Sequence, residues 1–192
     1  MNGPLMRFFG SAVAALAAST LAGCAGMESA PSSIAASPQV KLDRVEVASY
    51  FPYAPPPARV PLILAFVFNV TNPNDHAVTL EELRFAYSFE VKGQLFALNS
   101  PAVYEQQSIP AKATNQLRVV SVLDSAIVPA TLAVTQGFRM QELGVIPPDV
   151  VKTWWETIGD FGYAIRVSEG VATFTAGKAS TLVTFQDTFR KN

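Results

Sequence analysis

The sequence predicts a mainly β domain, an antiparallel sandwich of about seven to eight strands with one or two helices inserted before the last strands. Three observations carry that expectation. Apolar residues recur at every second position in most runs after Val40, turn chemistry separates those runs, and one interruption, Ser125 to Gly159, changes to helical spacing.

Val40, Leu42, Val45 and Val47 mark a first strand with an irregularity near Arg44. Tyr50 to Pro61 holds five prolines and must be loop or sheet edge, because proline cannot donate to a ladder. In the next strand Leu62, Leu64, Phe66, Phe68 and Val70 point one way and Ile63, Ala65, Val67 and Asn69 the other. Both faces are apolar, which suits a strand central to the fold. Asn72-Pro73-Asn74-Asp75 ends it in a β-turn, where proline pre-sets the second position and asparagine tolerates the third.

Leu83, Phe85, Tyr87, Phe89 and Val91 then alternate with polar residues, the pattern of a half-buried strand. Lys92-Gly93-Gln94 turns the chain into Leu95 to Leu98, and Tyr104 to Ile109 is expected to pair next. After a turn at Pro110-Ala111-Lys112, Leu117, Val119 and Ser121 alternate with Arg118, Val120 and Val122. Tyr163 to Val167 and Leu182 to Phe189 supply the last strands.

Within the interruption, Pro147-Pro148-Asp149 followed by Val150, Val151, Trp154, Trp155 and Ile158 predicts a helix that starts on proline and stops at Gly159. Pro129 to Leu143 reads as helix or irregular strand, with Gly137 counting against a regular helix.

The N-terminus predicts location. Met1 to Arg7 carries one basic side chain and no acid, Phe8 to Leu21 is almost wholly apolar, and small residues precede Cys24, the sole cysteine. That is the layout of a secretory signal, and its apolar run of about 14 residues is short of the ~20 a spanning helix needs. Leu21-Ala22-Gly23-Cys24 resembles the lipobox of bacterial lipoprotein precursors. The resemblance implies cleavage before Cys24, acylation of its sulfur, and, with Ala25 rather than aspartate following, sorting to an outer membrane facing the periplasm. A buried core cysteine behind an ordinary signal is the simpler alternative. The expected organisation is a signal at residues 1–23, a flexible Ala/Ser/Pro tether at 24–39, and one domain at 40–192. As a coil the tether would span about 20 Å, and at full stretch under about 50 Å.

Removing residues 1–23 leaves 169 residues with 13 basic and 15 acidic side chains. That balance, without a basic cluster, argues against nucleic acid as a partner. The expected partners are the bilayer, through the anchor, and envelope proteins or lipid. With Cys24 acylated no disulfide can form, so burial must hold the fold, and 49% apolar residues with 13 Phe can supply it.

Phe68-Asn69-Val70-Thr71-Asn72-Pro73-Asn74 resembles the "NPN" signature of the late embryogenesis abundant group 2 family, also called the water-stress and hypersensitive-response domain. The family's later features match Leu83 to Val91, Lys92-Gly93, Ile109-Pro110-Ala111 and Leu117 to Leu123, and more loosely Tyr163 to Val167 and Thr181 to Phe189. The resemblance implies an immunoglobulin- or fibronectin-III-like sandwich, Asn72, Pro73 and Asn74 as a structural turn, and protection against dehydration or envelope stress. Ser125 to Gly159 and Gly170 to Gly177 depart from the family pattern.

Chemistry is sparse. His76 is the only histidine, so zinc sites with several N and S ligands are excluded, and a solvated loop position is its simplest account. Period two separates Glu81 from Glu82, the only adjacent acidic pair. No Gly-x-Ser-x-Gly elbow or phosphate loop appears. The expectation is a non-enzyme without cofactor or metal, acting as a binding or stress-protection domain, or else as a carrier of an apolar ligand such as lipid. Trp154 and Trp155 are the candidates for apolar or membrane contact. Adjacent helical positions lie about 100° apart, so one indole could face out, or both could cap the sandwich.

Overall fold

The computed structural model describes residues 33–191. The elements are β1 (Gln39–Ser49), β2 (Pro61–Thr71), β3 (Val78–Val91), β4 (Gln94–Asn99), β5 (Ala102–Val103), β6 (Gln107–Ile109), β7 (Thr114–Asp124), α1 (Ile127–Glu142), α2 (Pro147–Thr157), β8 (Ile165–Ala176) and β9 (Ala179–Phe189). One sheet has the order β1-β2-β7. The other runs β4-β3-β8-β9, with β5 and β6 continuing β4's line along the same edge of β3. All these pairings are antiparallel. The result is a fibronectin-III-like sandwich with two helices inserted between β7 and β8.

β2 explains its doubly apolar sequence. Its inward residues Leu62, Leu64, Phe66 and Phe68 are fully buried. On its outer face Ala65 and Val67 are buried too, because Glu46 of β1 bonds Arg118 of β7 at 3.3 Å across the top of β2. The register shift between Leu42 and Arg44 is the irregularity expected in β1. Between the sheets, aromatic rings meet edge-on or tilted: Phe66 lies 5.0 Å from Phe85 and 4.7 Å from Tyr87, and Phe68 lies 5.5 Å from Phe185. Such pairs contribute about 0.5–1.5 kcal/mol each beyond their burial.

Several expectations change. Tyr104 to Ile109 is not one strand: β5 ends at Val103, β6 starts at Gln107, and Tyr104 projects into solvent between them. The ambiguous Pro129 to Leu143 is helix, kinked at Gln136 (φ −140°, ψ 16°) beside Gly137. α2 ends at Thr157, and a 3-10 turn over Ile158–Asp160 carries the chain past Gly159 to Phe161, whose φ of 49° closes it. Of the segment Gly170 to Gly177, which departs from the family pattern, all but Gly177 continues β8, and Gly177 turns the chain into β9. The segment begins in a bulge where Glu169 takes φ 52°, and a Cβ on Gly170 would sit 2.5 Å from the Phe185 ring and carbonyl.

β1 meets β9 along one flank of the sandwich, and β7 meets β4 and α1 along the other. The helices sit at the end where β3 finishes. β3 runs fourteen residues from the Asn72 turn to that end, a separation of roughly 40 Å.

Candidate functional site

At the first end, the Asn-Pro-Asn turn is a clasp. Asn72 is fully buried, and its Nδ2 donates to the carbonyls of His76 (2.8 Å), Ile109 (3.1 Å) and Pro110 (3.0 Å). Its Oδ1 accepts from the backbone N–H and the Nδ2 of Asn74, each at 3.0 Å. Asn74 in turn holds the chain entering β1: its Oδ1 accepts from Ala36 N–H at 2.9 Å and its Nδ2 donates to the Ala36 carbonyl at 2.8 Å. Lys112 seals the outside, donating to the Pro73 carbonyl at 2.7 Å and pairing with Asp75 at 2.7 Å. That pairing holds the Asp75 carboxyl below the ordinary aspartate range. Asn72, Pro73 and Asn74 thus join three segments distant in sequence, and Ile109-Pro110-Ala111 lies against them because Asn72 bonds its carbonyls. Ile34 also packs on the core, so the body begins before residue 40.

At the opposite end, an open cleft of about 730 Å³ lies between α2 and the β3–β4 hairpin. Val91, Val145, Ile146, Val150, Trp154 and Tyr163 give it apolar walls, while Glu90, Lys92 and Asp149 stand at it with charge. Lys92, at φ 48° in the hairpin turn, donates to the Leu143 carbonyl at 2.9 Å and ties the hairpin to the end of α1. Trp154 is 2% exposed; its ring meets Phe89 edge-on at 5.3 Å and its Nε1 donates to the Glu90 carbonyl at 3.2 Å. Tyr163 donates to the Trp154 carbonyl at 3.0 Å, and burial pushes its phenol far above the ordinary range.

Trp155 is fully buried, and its Nε1 finds no partner among the described residues. The option of one indole facing out is therefore not taken. Val150, Val151, Trp154, Trp155 and Ile158 are all buried and span about 140° of the helix circumference, wide enough to enclose two neighbours 100° apart. Trp154 still forms one wall of the cleft.

His76 is half-buried rather than solvated, with Nε2 shielded and unpartnered among the described residues. Glu81 accepts from Thr175 at 2.6 Å and also from Gln106, while Glu82 faces Arg84 at 3.8 Å, so the two carboxylates serve different neighbours. Cys24 lies outside the described residues. Sequence reasoning passed over a buried polar bridge between the sheets. Tyr87 Oη lies 2.9 Å from Ser121 Oγ, which also accepts from Asn99 at 3.0 Å. Desolvation pushes the Tyr87 phenol up to about 12. The polar Ser121 among apolar positions of β7 was the available signal.

No protein-family model matches the chain, and no curated protein matches it. Solved structures do. An X-ray structure of a structural-genomics target aligns at TM-score 0.43 and 12% identity, over 80% of this chain and 86% of its own. The solution structure of a candidate late embryogenesis abundant protein aligns at 0.38 and 10%, covering 80% of this chain and 71% of that one. A solution structure from Arabidopsis thaliana aligns at 0.39 and 10%, covering 79% and 80%. At these scores the likeness stands beside the fold; strand order and register alone establish it.

Proposed function

We propose that this chain is a lipoprotein of the bacterial envelope, anchored through Cys24, whose body is a non-enzymatic binding domain. The observation that carries this is polarity along the sandwich. Asn74 holds the chain coming from Cys24 at one end, and the apolar-walled cleft opens roughly 40 Å away at the other. A body held at one end leaves its far end free to meet envelope proteins. The resemblance of Asn72-Pro73-Asn74 and its companion segments to the late embryogenesis abundant group 2 family adds protection against envelope stress as the physiological outcome.

Two experiments test it. Mass analysis of the mature N-terminal peptide should find acyl chains on Cys24, and Cys24→Ala should leave uncleaved or mislocalised precursor. A photo-crosslinker replacing Ile146 at the cleft rim should capture an envelope protein in intact cells. Normal processing of Cys24→Ala would remove the anchor, and an uncaptured rim would remove the binding role.

The apolar walls of the cleft favour a second reading, an apolar ligand such as lipid. Native mass spectrometry of the purified chain decides between them: a copurifying lipid lost in Trp154→Ala supports the carrier, and an empty protein supports the protein-binding domain.

A further inference from the structure

The large apolar side chains left in solvent are unevenly placed. Of the ten among the described residues, six lie on the flank formed by β7, α1 and the β5–β6 loop: Tyr104, Val120, Val122, Ile127, Val134 and Phe138. Val134 and Phe138, one helical turn apart, are 87% and 86% exposed. From Ser125 to Phe138 the chain carries no charge. The polar side chains there are already served: Thr131 donates to the Ile127 carbonyl at 3.2 Å, Thr135 to the Thr131 carbonyl at 2.8 Å, and Gln136 to the Ala97 carbonyl at 3.0 Å. This stretch, its side-chain donors satisfied internally, loses little when water leaves it, the condition a lipid environment imposes, while Arg118 beside Val120 is paired with Glu46.

We infer that this flank lies on the lipid bilayer that carries the Cys24 acyl chains; the inference rests on the anchoring proposed above. The length of chain before the body admits this orientation and disfavours the helical end on the bilayer. Cys24 and Ala36 are twelve residues apart, which as a coil spans roughly 20 Å and at full stretch about 40 Å. With the β7–α1 flank on the bilayer, β1 stands two strand spacings above it, about 10 Å, within the span of twelve residues. Standing on its helical end instead, the body would hold Ala36 roughly 40 Å up and pull the tether taut.

The test uses the full chain in cells, with p-benzoylphenylalanine replacing Phe138 or, separately, Thr184 on the outer face of β9. Irradiation should give phospholipid adducts from position 138 and none from position 184. A protein adduct at 138, or no lipid adduct there while Cys24 carries acyl chains, overturns the inference. The N-terminal peptide mass of the same purified protein tests the anchor separately, so lipid adducts at 138 without acylation would remove the anchor and keep the contact. As a second measure, a chain beginning at Ala25, with neither the signal segment nor acyl chains, should cosediment with phosphatidylethanolamine–phosphatidylglycerol vesicles, and Phe138→Ser in it should lower that partitioning roughly tenfold. Equal partitioning by the two, both shown folded by thermal melting, counts against the flank.

Discussion

At the end where β2 turns into β3, Asn72 and Asn74 hold three chain segments with side-chain amides, whereas at the helical end Trp154, Trp155 and Phe89 do their work by filling volume. Both regions are buried, yet they should respond to mutation by different rules. A buried amide with five polar neighbours depends on geometry, so an apolar residue of similar size strands every partner. A buried indole without a partner for its N–H depends on size, and another aromatic ring retains most of its contribution.

Substitutions at four positions would break or sharpen that contrast. The largest effect is expected from Trp155→Ala, about 4 kcal/mol of lost stability in denaturant unfolding, with Trp155→Phe recovering most of it. If Phe proved as damaging as Ala, the unpartnered N–H would have a role that volume does not explain. Asn72→Leu should cost roughly 3 kcal/mol although it keeps the side chain's size, because the Ile109 and Pro110 carbonyls and the Asn74 amide lose their partner. A near-neutral Asn72→Leu would show the clasp to be packing after all.

Tyr87 belongs to neither end, and it reports on the polar bridge between the sheets. Its folded pKa, about 12, lies above the ordinary tyrosine value of 10.0, so the unfolded chain releases the proton first as pH rises. Stability should hold below pH 10 and fall between pH 10 and 12 through both buried phenols, Tyr87 and Tyr163, and Tyr87→Phe should remove roughly 3 kcal/mol of that fall in melts across the range while the Tyr163 share remains. The smallest effect on global stability belongs to Asn74→Ala, about 1–2 kcal/mol. Its clearer signature is local: without the two bonds to Ala36, amide exchange at Ala36 should quicken while β2 and β7 stay protected. Unchanged exchange there would mean that Ile34 and Pro38, rather than Asn74, fix the entering chain.

The strands with strict alternation, such as Leu83 to Val91, were legible because period two and burial of one face are the same constraint. The helix at Pro147 was legible because proline tolerates a first turn and the apolar spacing follows. Tyr104 to Ile109 misled because local alternation does not say whether β3 offers a partner at every position, and here β3 pairs with two short pieces. Gly170 was illegible as a strand residue because its need for zero side-chain volume comes from Phe185, fifteen residues away.

By itself the sequence determined the class of the fold, the place of the helix that starts at Pro147, and the turn at Asn72-Pro73-Asn74. These follow from local propensity and periodicity, which act over a few residues. Only the tertiary structure decided that both tryptophans face inward, that Asn74 grips Ala36, and that six exposed apolar side chains gather on one flank. Each of these depends on which surfaces meet across tens of residues, and neither spacing nor composition encodes that directly.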